Sequence, residues 1–472
     1  MSKVRKTGTQ RGVNGRPGKA TPPPAYFLSL EVENVRCFGP RQELDLSNGN
    51  GRPAQWTVIL GDNGTGKTTL LQCLAALEPC AFPNPDVFRD NVIPKVFIDS
   101  AFYDAWRPAR SGKAEVPFLF LANVTYGSKL NGTPTRRTPS RATATRSTQL
   151  FYVGPRSSGR RSLAKYAQVG GLACYGYSAA RRMGETSLAE KSLPDSTASL
   201  FNNGTALLNA EEWLLQADYA ATKPSPVQTL AAKRRDDVKS VLTDILPDIY
   251  DIEFTQPSEE HPAPGVRVKT PYGWVSVRDL SLGYKTLIAW MVDFASRMFD
   301  RYPHSPNPIA EPAIVLIDEI DLHLHPKWQR DLIRFLSERF VNTQFIVTAH
   351  SPLVVQAAQN ANVALLRREG DHVVIDNDVE RIKGWRVDQV LTSDLFGLQS
   401  ARPPELDELL AKRKELLSKG RLTRKDRATL SDVENKIGPL PAGETPEQIR
   451  SIDIINRAAK LIQQKANKVQ KA

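Results

Sequence analysis

Eight residues, Gly61-Asp62-Asn63-Gly64-Thr65-Gly66-Lys67-Thr68, constrain this chain more than any other feature. They fit the pattern GxxxxGK[ST] and stand between an apolar run over residues 56–60 and a helix expected over residues 68–77. Strand, glycine-rich turn and helix, in that order, is the context in which this pattern cradles phosphate. The glycines let backbone N–H groups converge on an anion at a helix N-terminus, where the helix dipole also favours negative charge. Lys67 then reaches the β- and γ-phosphates of ATP, the Thr68 hydroxyl ligates Mg²⁺, and Thr69 continues the binding turn.

A second buried-strand pattern, residues 313–317, ends in the acidic pair Asp318-Glu319. At the C-terminal end of a strand, Asp318 is placed to hold Mg²⁺ through its water shell. Glu319 is placed to orient or deprotonate an attacking water. Residues 344–348 read as another buried strand, with a helix expected between the two over residues 328–340. Further strands are expected over residues 26–35, 116–126, 171–176, 252–254 and 266–277. Strands alternating with helices at this spacing predict a largely parallel α/β sheet.

Between these motifs the periodicity changes. Over residues 210–250, Trp213, Leu214 and Leu215, then Val227, Leu230, Val238, Val241 and Ile245, recur at helical steps, interrupted by Pro224 and Pro226. No heptad run is sustained, which excludes a long coiled-coil arm. Another apolar helical stripe holds Leu287, Met291, Phe294 and Met298, and three more helices are expected beyond residue 401, one of them capped by Thr423 and one starting at Thr445-Pro446. The expected organisation is a disordered basic tail (1–24), a lobe with the phosphate loop (25–209), a helical insertion (210–250), a second lobe (251–400) and a helical appendage (401–472).

The formal charge of +12 is unevenly spread. Residues 1–24 carry six cations and no acid, and residues 116–184 carry eleven cations and no acid, among them Arg160, Arg161, Arg181 and Arg182. A segregated stretch of this kind suits a nucleic-acid backbone, whose counterions leave as cations replace them. A solvated basic loop is the other reading. The four cysteines, Cys37, Cys73, Cys80 and Cys174, show no CxxC or metal-like spacing, as expected in a reducing compartment without a disulfide framework. No apolar run approaches the roughly 18 residues of a membrane span, so a soluble, cytoplasmic protein is expected.

Leu280-Ser281-Leu282-Gly283 stands just ahead of a helix, where N–H groups and a hydroxyl face an anion. His350 stands in Thr348-Ala349-His350-Ser351-Pro352. The order of phosphate loop, LSxG, Asp-Glu and His across residues 27–355 resembles the ABC superfamily of ATPases. The run Ile317-Asp318-Glu319-Ile320-Asp321-Leu322-His323-Leu324-His325-Pro326 is similar to its RecF/OLD-type branch. The resemblance implies an ABC-type P-loop ATPase head with a short helical insertion and a C-terminal helical appendage. It implies that Ser281 and Gly283 contact the γ-phosphate of ATP held by a second copy, and that His350 is the switch histidine. Leu324 and His325 would stand where the D-loop crosses the dimer interface. Arg36 would lie near the nucleotide base, with Phe38 either beside it or in the core. The Q-loop position falls to Gln168 or to residues 174–182.

Ser281 lies 213 positions after Thr68, farther than in transporter subunits of this superfamily. Glu369-Gly370 and Asp376-Asn377-Asp378 mimic the acidic pieces of a TOPRIM nuclease, but lie too close together for that fold to organise two metal ions. No nuclease activity of the chain's own is therefore expected. Residues 384–398 and the helical tail resemble the stand-alone ATPases of bacterial anti-phage systems, the Septu PtuA and retron-associated kinds. That resemblance implies a head-to-head dimer or higher oligomer that senses DNA or a phage factor and controls a separate nuclease or toxin. The tail would carry oligomer or effector contacts. A RecF-like repair or replication ATPase and a scaffold that holds a toxin inactive are the alternatives.

Overall fold

The computed structural model describes residues 23–81, 92–95, 118–131, 146–154, 169–185, 194–259, 263–379, 384–419 and 422–438. The chain divides into two compact units at residue 390. Its strands in order are β1 (Ala25–Glu33), β2 (Gln42–Asp45), β3 (Trp56–Gly61), β4 (Pro79–Ala81), β5 (Val92–Pro94), β6 (Phe118–Tyr126), β7 (Arg146–Gly154) and β8 (Cys174–Tyr177). They continue as β9 (Asp251–Thr255), β10 (Gly265–Thr270), β11 (Gly273–Ser276), β12 (Ala313–Ile317), β13 (Thr343–Thr348), β14 (Asn362–Glu369) and β15 (His372–Asp376). The helices are α1 (Lys67–Ala76), α2 (Ala198–Phe201), α3 (Ala210–Thr222), α4 (Gln228–Ile245), α5 (Leu282–Arg301), α6 (Pro326–Arg339), α7 (Pro352–Ala357), α8 (Val387–Leu391), α9 (Pro404–Ser418) and α10 (Arg424–Ile437).

The central sheet runs β15-β14-β3-β13-β12-β8 and is parallel apart from the hairpin edge β15. Every residue of β12 and β13 is buried, and β3 is buried except at its last residue. Strands covered on both faces favour largely apolar runs, which is why β3 and β12 were visible as runs rather than as alternation, while β13 buries Thr343, Gln344 and Thr348 around an apolar centre. The parallel arrangement brings the ends of β3, β12, β13 and β8 to one edge, the place where open α/β sheets bind ligands.

A second, antiparallel sheet is ordered β2-β1-β6-β7. Leu70, Leu71 and Leu74 of α1 share one apolar cluster with Phe27, Leu30, Phe120 and Val124 of that sheet and with Ile314, Leu316 and Ile346 of the parallel one. The two sheets are also joined by a buried amide. Gln344 Oε1 accepts from the Phe27 N–H at 3.0 Å, and its Nε2 donates to the Phe27 carbonyl at 2.8 Å. A buried glutamine is tolerated because both ends of its amide are satisfied. Its partner lies at the break in β1–β6 register between Phe27 and Ser29.

Helices α3 and α4 fill residues 210–245, with the Asn209 side chain accepting from the Glu212 N–H and acids in the first turn of α3. Leu214, Val238, Val241, Leu242 and Ile245 are buried, and Trp213 stacks on Phe299 of α5. Val227 and Leu230, expected on the same apolar stripe, are exposed, because the turn containing Pro224 and Pro226 places them at the tip. A three-stranded antiparallel sheet, β11-β10-β9, leads through a short 3₁₀ turn into α5. Glu369 and Asp376 belong to the β14–β15 hairpin, which turns at Gly370.

In the second unit α9 and α10 pack as a hairpin. Leu416 and Val433 are buried, Arg413 pairs with Glu434 at 3.0 Å, and Thr423 and Asp426 form a reciprocal capping box. The unit begins at residue 391. The helix expected after Thr445-Pro446 and the basic tail over residues 1–22 lie outside the described residues. All four cysteines are free thiols. Among the described residues, no helix is long and apolar enough to cross a membrane.

Candidate functional site

The site begins where β3 ends. Gly61, Gly64 and Gly66 all have positive φ, which lets the loop wrap so that its N–H groups point inward. Gly66 caps α1, and a Cβ there would lie 2.5 Å from Cys37 Sγ and 2.9 Å from the Phe38 ring. The loop is thus pressed from behind by residues 37–38 while Asp62, Asn63 and Gly64 remain exposed. Lys67 folds back over it, its Nζ donating to the carbonyls of Gly61 at 2.7 Å and Asp62 at 2.9 Å. The Thr65 hydroxyl donates to the Asp62 carbonyl at 2.8 Å. Burial lowers the pKa of Lys67, opposed by Asp318 and Glu319, so an anion in the loop would supply the ammonium with a counter-charge.

Two residues 250 positions apart meet at this loop. The Thr68 hydroxyl donates to Asp318 Oδ2 at 2.7 Å. The other carboxylate oxygen, Oδ1, accepts from the Thr348 hydroxyl at 2.7 Å, and that same hydroxyl accepts from the Glu319 N–H at 2.7 Å. A hydroxyl and a carboxylate converging beside a phosphate loop are hard oxygen donors of the kind Mg²⁺ takes, with water and phosphate oxygens filling the remaining positions. Glu319 itself has φ of 51°, a left-handed conformation that non-glycine residues rarely adopt. His350 follows β13, is exposed, and its N–H donates to both Asp321 carboxylate oxygens at 3.1 and 3.2 Å.

Ser281 is the N-cap of α5, is exposed, and spends no side-chain hydrogen bond on capping. Leu282 beside it is 58% exposed. Gly283 is buried, and a Cβ there would lie 2.5 Å from the His323 carbonyl oxygen. With Tyr284 packed edge-on against Trp328 at 4.5 Å, the start of α5 is seated on the turn that follows Glu319.

Several sequence expectations are corrected here. Arg181, expected on a nucleic-acid surface, is 3% exposed, and its guanidinium donates to the carbonyls of Asp318 and Glu319, both at 2.9 Å. Leu324, expected to cross an interface, is 7% exposed and packs inside its own unit, whereas the flanking His323 and His325 are exposed. His325 caps α6, its Nδ1 accepting from the Lys327 N–H at 3.3 Å. Thr69 is buried and its hydroxyl accepts from Arg36 Nη1 at 3.3 Å, so this side chain joins Arg36 to the loop rather than facing a ligand. Phe38 belongs to the core. Arg182 is exposed, and Arg160, Arg161 and Gln168 lie outside the described residues. Among the described residues no three His, Cys, Asp or Glu side chains gather as a metal site.

Thr348, Asp321 and Arg181 are the site residues that motif reading missed as such. A threonine closing a wholly buried apolar strand and a third acid two residues beyond the Asp-Glu pair were the available signals.

The deciding observation is the order along one sheet edge: phosphate loop after β3, histidine after the neighbouring β13, acidic pair after β12, and an antiparallel sheet across α1. The fold is that of an ABC-type P-loop ATPase head. A family model described as "AAA domain, putative AbiEii toxin, Type IV TA system" matches residues 195–356 of this head, and one described as "AAA domain" matches residues 29–77. The chain is 26% identical over 414 residues to "Septu protein PtuA" of Bacillus mycoides (strain KBAB4), covering 87% of the chain and 50% of that protein. It is 41% identical over 131 residues to "Retron Ec83 probable ATPase" of Escherichia coli, covering 28% of the chain and 23% of that protein. The chain thus spans half of the first relative's length and less than a quarter of the second's. Among solved structures, an Smc head bound to the C-winged helix domain of ScpA superposes with a TM-score of 0.40 at 15% identity, covering 74% of the chain and 97% of that structure. The resemblance to the Septu and retron ATPases, drawn in the sequence from residues 384–398 and the helical tail, is matched by these relatives.

Proposed function

We propose that this head binds and hydrolyses Mg-ATP as a head-to-head dimer and thereby controls a separate effector protein, a nuclease or toxin, in anti-phage defence. The observation that carries the reading is the convergence of Thr68, Asp318 and Glu319 at the phosphate loop while Ser281 faces outward with its hydroxyl uncommitted to its own helix. The chain in this reading carries half of a site and offers the other half to a second copy. In this reading the loop N–H groups bind the phosphates and Lys67 exchanges its two carbonyls for phosphate oxygens. Thr68 and Asp318 would hold Mg²⁺, which would supply positive charge to the phosphates. Glu319 orients the attacking water and accepts its proton, His350 meets the γ-phosphate, and Ser281 at the α5 N-terminus of a second copy closes over it.

The defence role is supported by the similarity to a Septu protein and a retron probable ATPase, and the separate effector by the resemblance of residues 384–398 and the helical tail to stand-alone anti-phage ATPases. The trigger in this reading is DNA or a phage factor. For DNA, the acid-free stretch over residues 116–184 is the support, with Arg182 its exposed member from the expected contact set. The test is Glu319→Gln in light scattering with Mg-ATP. A stable ATP-dependent dimer is expected, with hydrolysis lowered by about 100-fold or more. A variant and a wild type that both stay monomeric at saturating ATP would refute the shared site.

A further inference from the structure

We propose that Arg181 is a positioning residue for hydrolysis, holding the backbone of Asp318 and Glu319 so that the Glu319 carboxylate stays aimed at its water. The proposal rests on the reading of Glu319 as the group that handles that water. It starts from a topological fact. β8 is the edge strand beside β12, and the ladder between them extends to the Asp318 N–H, which donates to the Tyr177 carbonyl at 2.8 Å. The Asp318 and Glu319 carbonyls lie beyond that bond, and the Glu319 carbonyl also accepts from the Leu322 N–H at 3.0 Å. Four residues beyond Tyr177 the chain turns back through Arg181, itself at φ of 34°, and one guanidinium spans both carbonyls with Nη1 and Nη2.

The same peptide is held from the other side. The Thr348 hydroxyl accepts from the Glu319 N–H, and the Thr348 carbonyl accepts from the Ile320 N–H at 3.0 Å. Glu319 in its left-handed conformation is therefore held at its N–H by β13 and at its carbonyl by Arg181 together with the Leu322 N–H of its own turn. Such a conformation persists only where the surroundings over-determine it. A planar fork with two parallel N–H donors suits two adjacent carbonyls in a way that a single ammonium does not. Arg181 makes no ion pair among the described residues, so its charge is balanced at longer range by the carboxylates of Asp318, Asp321 and Glu319. Burial brings its pKa down to about 10, which leaves it a cation at neutral pH.

The experiment compares Arg181→Met and Arg181→Lys with wild type in the full chain. Three quantities are measured: binding of a fluorescent ATP analogue, steady-state kcat, and amide hydrogen exchange of the peptide spanning residues 318–322. The expected result for Arg181→Met is a Kd within about threefold of wild type, a kcat lower by about 100-fold, and exchange faster by about tenfold or more. Arg181→Lys, which keeps the charge and loses the fork, is expected between the two. A residue that only stabilised the fold would lower melting temperature without splitting Kd from kcat. Wild-type kcat, or unchanged exchange at 318–322, in either folded variant overturns the proposal. If wild type itself does not hydrolyse ATP, the hydrolase reading fails, while the exchange comparison still decides whether Arg181 holds this peptide. Should Arg181→Met not fold, Arg181→Lys against wild type decides the question by the same three measurements.

Discussion

At the scale of single residues, the phosphate loop leaves almost no freedom at Gly66. A methyl group there would sit 2.5 Å from Cys37 Sγ, on a backbone with φ of 87° that disfavours any side chain. Gly66→Ala is expected to cost about 1–3 kcal/mol locally and, because relief must come from the loop, to weaken ATP-analogue binding by about tenfold or more. Titration of the folded variant checks this, and wild-type affinity would show that Cys37 yields instead. The loop was legible because all its determinants lie within eight consecutive residues. Arg181 was not. Sitting in a stretch of eleven cations without an acid, it reads as surface charge, and only the pairing of β8 with β12 reveals that this one cation is turned inward. Leu324 misled for the opposite reason: a position inherited from a motif says where the chain passes, and burial decides which side chain faces out.

At the scale of elements, the end of α1 is tied to the edge of the parallel sheet by a partly desolvated charge cluster. Lys95 beyond β5 pairs with Glu78 and, at 2.8 Å, with Asp195, while Glu78 Oε1 accepts from the Cys174 N–H of β8 at 2.9 Å. Burial pushes the Glu78 carboxyl up, against the pull of Lys95. Removing the cation alone strands a buried acid, so Lys95→Met is expected to cost about 3 kcal/mol in urea unfolding. Adding Glu78→Gln should recover most of that loss. A single variant as stable as wild type would mean that Glu78 is simply protonated in place. Nothing in the sequence announced this cluster, since its members are scattered along the chain from position 78 to position 195. The buried strands β3 and β12 were visible because two-sided burial writes a largely apolar run, and β13 by its apolar centre Phe345-Ile346-Val347. The helical periodicity of α3 and α4 was visible too, but where the hairpin outruns its support, at Val227 and Leu230, the same pattern continues without burial.

At the scale of the whole molecule, the catalytic pieces and the exported helix end are not independent. Gly283 lets the first turn of α5 rest directly on the His323 carbonyl, in the turn that begins at Glu319. In the proposed dimer this gives the protein an unusual genetics. A lesion at Ser281 harms the neighbour's nucleotide and a lesion at Lys67 harms its own, so each variant alone has no complete site. Coexpressed, Ser281→Arg and Lys67→Ala chains would form mixed pairs in which one site has every part intact, and hydrolysis should reappear in the mixture. A mixture as inactive as either parent would mean that each chain needs its own α5 end. Glycine at position 283 is thus the point where inheritance of a defect passes from one copy to the other: a bulkier residue there would disturb a chain's own acidic turn and its partner's nucleotide together, making the allele dominant rather than complementable.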